Sequence, residues 1–292
     1  MQLPLVAPAP VVVEHAQVFR ELFENRRQFQ HFENYLTGLM VLSNKSMANI
    51  SRCLVESADK TNLSRFFSEA PWDDAQVNEK RITYMLEQTA PMRRAAAQTC
   101  LIVDDTLCEH VGSMFEYVDR HYDHCEGRYP LGHNLVTTHV VSGAVRFPLE
   151  VRLYRRYEEL TRWVEFVGKH YPDREIPTEK KRRTRLHKEV DEHLLTDPEF
   201  AVLHAAFHTK IALALEGIKQ AATWAVPFRT VLMDSWFLCQ EMAEELAKLK
   251  KDWVSLLKKN RNLAVNSFTL RDAQGQKIAI EGPHIKVEDL VA

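Results

Sequence analysis

Two stretches of this chain each run an apolar segment straight into a carboxylate: Cys100–Thr106, CLIVDDT, and Arg229–Phe237, RTVLMDSWF. Their acidic residues are Asp104, Asp105 and Asp234, the last two 234 − 105 = 129 positions apart. Taken singly, an aspartate after a strand is a common turn former or helix N-cap. Two of them raise a different possibility. If both strands are central neighbours in one sheet, Asp105 and Asp234 meet at one edge and repel, so one stays protonated unless a cation joins them. A divalent, oxygen-preferring ion such as Mg2+, or Mn2+ in its place, removes the conflict. Two such ions a few ångströms apart activate a water and stabilise a leaving oxygen in phosphodiester cleavage. On that reading the strand ends on charge because a metal sits there.

The elements that would have to position these groups can be read from the rest of the chain. Its 292 residues leave room for one large domain or two ordinary ones, and a hydrophobic fraction of 45% is enough to bury a sizeable core. Cys53, Cys100, Cys108, Cys125 and Cys239 form an odd set without CxxC spacing, which fits reduced thiols in a cytoplasmic protein. No apolar run is long enough to span a bilayer, and the proline-broken start lacks the basic leader of a signal peptide, so no membrane association is expected. The net charge of −2 neither demands nor excludes nucleic acid.

Residues 1–98 read as helical, with Phe19, Phe23, Phe29, Phe32 and Leu36 at mostly three- and four-residue steps. Within them, NKSMANISRCLVESA and NLSRFFSEAP, separated by DKT, outline a helix-turn-helix, a DNA-binding region as an alternative to plainly packed helices. From 99 to 265 the texture changes to strands. CLIVDDT is one, and NLVTTHVVSGAVRFPLEVRLYRR gives two joined at Ser142–Gly143. After a charged stretch at about 157–204, read as an insertion or a solvated helical arm, strands alternate with helices. Residues 266–292 read as the start of a further strand or hairpin region. The expected class is α/β, a mixed sheet flanked by helices and preceded by an all-α region, with functional groups at the carboxyl ends of strands.

Basic runs supply candidates for phosphate contact: Lys181, Arg182 and Arg183 in EKKRRTR, and Lys258 and Lys259 in LLKKNRN. The plain alternative is a solvated face. His121, His124 and Cys125 carry metal-ligating types, but a polar loop between strands is the better reading of them. Trp72, Trp236 and Trp253 read as core residues. No phosphate-cradling glycine loop, GxSxG or HExxH is present.

LIVDDT, LGHNLVTTHVVSGAVRFPLEVRLYRR and TVLMDSWF, in that order and spacing, resemble the catalytic half of DDE-type transposases of bacterial insertion sequences, over roughly residues 30–265. The resemblance implies an RNase H-like core and Mg2+-dependent cleavage and strand transfer at transposon ends. It implies double-stranded DNA (transposon ends and target) as the partner, and a homodimer. Asp105 takes the place of the first metal ligand and Asp234 the second, with Asp104 on the opposite face of the strand in a supporting role or exchanged with Asp105. The family's third carboxylate is a glutamate on a helix well beyond the second aspartate. Glu241, Glu244 and Glu245 follow Asp234 too closely, and Glu281 and Glu288 lie in no helical pattern. The expectation is therefore a chain that stops before that glutamate: a transposase portion, or an inactive relative that only binds DNA.

Overall fold

The computed structural model describes residues 4–55, 62–91, 98–112, 114–123, 126–264, 267–271, 277–281 and 284–287. The chain forms two compact units, Met1–Pro91 and Met92–Ala292.

The first unit is helical: α1 (Pro10–Ala16), a 3-10 turn (Gln17–Leu22), α2 (Arg26–Val41), α3 (Met47–Cys53), α4 (Asn62–Ser68) and α5 (Asp74–Thr89). The aromatic spacing does not belong to one helix. Phe19 lies in the 3-10 turn and Phe23 is extended, because Asn25 restarts the chain as the N-cap of α2, accepting from the Gln28 N–H. Phe19, Phe23, Phe29, Ile50 and Phe66 close the core, and Trp72 stacks on Phe66 at 5.5 Å. The helices α3 and α4 match the two halves of the helix-turn-helix outline; the DKT turn lies outside the described residues.

The second unit begins with β1 (Cys100–Glu109), β2 (Asp119–Arg120), β3 (Leu131–Ser142) and β4 (Val145–Tyr154). Four helices follow: α6 (Tyr157–Leu160), α7 (Trp163–His170), α8 (Lys180–Leu194) and α9 (Pro198–Ala205). Then come α10 (Lys210–Thr223), β5 (Thr230–Met233), α11 (Gln240–Lys248) and β6 (Asp252–Ser255). The main sheet is six-stranded. It runs β2-β3-β1-β5-β6, with β4 also paired to β3. Strand β3 is antiparallel to β1 and β4, while β1, β5 and β6 are parallel. This is an RNase H-like fold, a mixed sheet with helices against it. The Ser142–Gly143 turn is as expected, Gly143 taking the positive φ of 67° that a side chain would resist. One face of β3, Asn134, Val136, Thr138 and Val140, is buried. There α10 approaches so closely that a Cβ on Gly217 would meet Thr138 Cγ2 at 2.9 Å.

Two expectations are corrected here. Strand β1 does not end at its aspartates; it continues to Glu109, paired with β3 down to Gly132. It is the neighbour, β5, that stops, at Met233. The region 157–204 is not a bare solvated arm. Trp163, Phe166, Val167, Leu186, Val190, Leu194 and Phe200 form a core of their own. Its apolar residues sit four apart on α8, one stripe on an otherwise charged helix, which dilutes the apolar signal in sequence.

The end of the chain carries β7 (Asn262–Ala264), β8 (Ser267–Arg271), β9 (Lys277–Glu281) and β10 (His284–Lys286). The hairpin β8–β9 is nested inside the antiparallel pair β7–β10.

Candidate active site

The site is built by the parallel pairing of β1 and β5, which runs from Cys100↔Thr230 to Val103↔Met233. One step further, β5 gives way to a turn in which the Phe237 N–H bonds the Asp234 carbonyl, while β1 continues on β3 alone. Beyond Val103 that side of β1 has no strand paired to it, at the carboxyl ends of the parallel strands, where such sheets place their ligands in a crevice. Continuing the register puts Asp104 level with Asp234. Adjacent strands lie about 4.8 Å apart, within the reach of two carboxylates sharing an ion. Both residues are exposed. Each is steadied by the next residue's backbone: the Asp105 N–H donates to Asp104 Oδ1 at 2.9 Å, and the Ser235 N–H to Asp234 Oδ1 at 2.6 Å. Neither has a cationic partner among the described residues.

Asp105 has a different environment. Strand alternation puts it on the face of Val103 and of its cross-strand partner Val136, the side covered by α10. Thr209 caps that helix by accepting the Ala212 N–H, and Lys210 is its first residue. Lys210 Nζ donates to Asp105 Oδ2 at 2.5 Å and lies 5.2 Å from the Tyr154 ring centre and 5.6 Å from that of Trp236. Lys210 was not picked out in sequence. Its partner is 105 positions away, and only the Thr209 capping signal marks the place.

An all-oxygen pair such as Asp104 with Asp234 suits Mg2+ or Mn2+ rather than a softer metal. No group of three His, Cys, Asp or Glu placed to hold an ion occurs among the described residues. On α11, Glu245 is taken by Lys219 and Lys248, whose bonds hold its carboxyl down to about 2, and Glu244 accepts from Gln240. The Glu281 side chain and Glu288 lie outside the described residues.

The histidine-rich segment holds one buried member. His121 is 6% exposed, and burial pushes its pKa below the ordinary value; His124 and Cys125 lie outside the described residues. A pair of histidines meets at the far end of β1: His133 Nε2 donates to the Glu116 carbonyl at 2.8 Å, and His110 Nε2 lies 2.9 Å from His133 Nδ1.

The basic candidates divide. Lys258 and Lys259 are exposed just after β6, at the same end of the sheet as Asp234, since β5 and β6 are parallel. Lys181 is exposed, and Arg182 is exposed beside Glu179. Arg183 is inside the insertion: it binds both Glu158 oxygens and lies 5.6 Å from the Trp163 ring. Burial pushes Glu158 up, but the bonds from Arg183 and His187 outweigh it. Trp236 and Trp253, expected in the core, are 42% and 39% exposed. Trp253 lies on β6, the edge strand of the sheet, and Trp236 in the turn that follows β5. Among the described residues, no helix is long and apolar enough to cross a membrane.

Known proteins resemble this chain in sequence. A probable transposase for insertion sequence element IS701 from Microchaete diplosiphon is 27% identical over 158 residues, 54% of this chain. The match spans 40% of that relative's length. The family model for DDE superfamily endonucleases matches residues 18–279, which include β1 with both its aspartates, Asp234 and all strands of the main sheet. By that match, and by the fold that carries it, the chain belongs to the DDE superfamily endonucleases.

Proposed function

We propose that this chain is the DNA-cleaving part of an insertion-sequence transposase, acting on double-stranded DNA at transposon ends and joining those ends to a target. What supports the reading is the β1–β5 register, which ends at Val103 and Met233 and whose continuation by one residue would bring Asp104 level with Asp234. These two carboxylates would hold Mg2+ or Mn2+. A divalent ion there supplies a Lewis acid that lowers the pKa of an attacking water and offsets charge on the leaving oxygen. Asp105, the other candidate on β1, is engaged by Lys210 and would act from behind the site. The exposed Lys258 and Lys259 beside the crevice would receive phosphates of the bound strand, while the protein contributes no covalent intermediate. Two DNA ends processed together need two such sites, which a homodimer supplies.

A second reading, a chain that binds DNA without cutting it, is favoured by one observation. Among the described residues no third carboxylate joins the pair. Cleavage by these 292 residues alone is accordingly expected to be poor.

The test of the DNA partner is the salt dependence of binding to duplex DNA. Replacing Lys258 and Lys259 by alanine will weaken binding and flatten the log–log salt slope by up to about one unit per lost phosphate contact. Replacing Lys181 and Arg182 will do the same if the insertion lies along the duplex. Arg183→Ala will instead lower stability, since its guanidinium is committed to Glu158. Affinity and slope unchanged in the Lys258/Lys259 variant would remove the phosphate-contact role from that loop.

A further inference from the structure

An exposed lysine at a helix N-terminus is ordinarily solvated, and it is poorly placed there, because the helix dipole favours negative charge at that end. Lys210 breaks both rules. Its side chain is 17% exposed and its ammonium is held on three sides by residues of three separate elements. These are Asp105 of β1 at 2.5 Å, the Tyr154 ring at the end of β4, and the Trp236 ring in the turn that follows Asp234. Asp105 is one residue from Asp104, and Trp236 two from Asp234, so one ammonium ties together the segments that carry both proposed metal ligands. Resting on the metal-site reading above, we propose that Lys210 is a positioning residue for the metal site. It neutralises Asp105 and so keeps it off the ion, leaving Asp104 and Asp234 as the carboxylates that face it.

The charge arithmetic makes this testable. Removing the ammonium leaves the Asp105 carboxylate uncompensated on the strand that carries Asp104, and a bare negative charge that close to a divalent ion attracts it. With a water-like dielectric of about 80 and a separation of about 8 Å, the change is about 1 kcal/mol, on the order of fivefold in affinity. Removing the carboxylate instead leaves a bare ammonium, which repels the ion by a similar factor. Removing both restores the original net charge.

The experiment is Mn2+ binding to the full chain, followed by electron paramagnetic resonance, for Lys210→Met, Asp105→Asn, the double variant and Asp104→Asn, with circular dichroism on each. Lys210→Met should bind Mn2+ about fivefold more tightly, Asp105→Asn about fivefold more weakly, and the double variant close to the parent. Lys210→Arg, which keeps the charge, should stay near the parent. A merely structural lysine would shift the melting temperature without this alternation of sign. The inference is overturned if Asp105→Asn abolishes binding while Asp104→Asn leaves it intact, since Asp105 would then be the ligand. It is also overturned if Lys210→Met leaves the affinity unchanged with the fold intact. If the parent chain binds no Mn2+ at all, the metal-site reading itself fails, and this inference with it.

Discussion

Asp104→Asn and Asp234→Asn will each cost the chain most of its affinity for Mn2+, on the order of 30-fold, about 2 kcal/mol. Each exchange is close to isosteric, and both residues are exposed, so neither replacement disturbs packing. What each removes is one of two anionic oxygen donors facing the crevice, and hard divalent ions are held by such donors above all. The parent affinity will be modest, because two carboxylates leave most of an ion's coordination to water. The double variant will be little worse than either single one, since a site that has lost one of two ligands has little left to lose. A Mn2+ titration read by water proton relaxation checks this. Loss of binding in one single variant but not the other would mean that the two carboxylates do not share an ion.

Trp163→Ala will destabilise the helical insertion by about 3–5 kcal/mol. Trp163 is fully buried at the centre of a small cluster with Phe166, Leu186, Val190, Leu194 and Phe200. Its indole N–H donates to Asp191 Oδ1 at 2.6 Å, and Asp191 also accepts from the Tyr157 hydroxyl at 3.1 Å. Truncation thus leaves a cavity and takes one donor from a half-buried carboxylate. Trp163→Phe keeps most of the packing and removes the donor, for about 1–3 kcal/mol. Because this cluster is distinct from the core of the sheet, the loss should be local. In hydrogen exchange, amides of α7, α8 and α9 should lose protection while those of β1, β3 and β5 keep it. Equal loss throughout would show that insertion and sheet unfold as one unit.

How far the sequence carries is clearest at these two places. The apolar run in CLIVDDT was enough to predict a buried strand, in which Leu101 and Val103 are the buried residues, and the matching run before Asp234 was enough to predict a second strand. Period-two alternation says that Asp104 and Asp105 face opposite ways, but not which faces the crevice. That depends on the β1–β5 register and on where β5 stops, both set by contacts more than a hundred residues apart. The same distance hides Lys210. The insertion was misjudged for a different reason: charge density swamps a one-sided apolar stripe when residues are averaged along the chain rather than around the helix. Trp236 and Trp253 were assigned to the core by residue type alone, and a turn position for the first and an edge strand for the second override that.

The most direct test of the account is to locate the ion. Crystals of this chain grown with millimolar Mn2+ should show an anomalous-scattering peak between the carboxylates of Asp104 and Asp234, at about 2.0–2.4 Å from an oxygen of each, in the hard-ion, oxygen-ligand range. Lys210 should still be on Asp105. A peak coordinated by Asp105 with Lys210 displaced, or Asp104 and Asp234 turned away from each other with no metal between them, would contradict it.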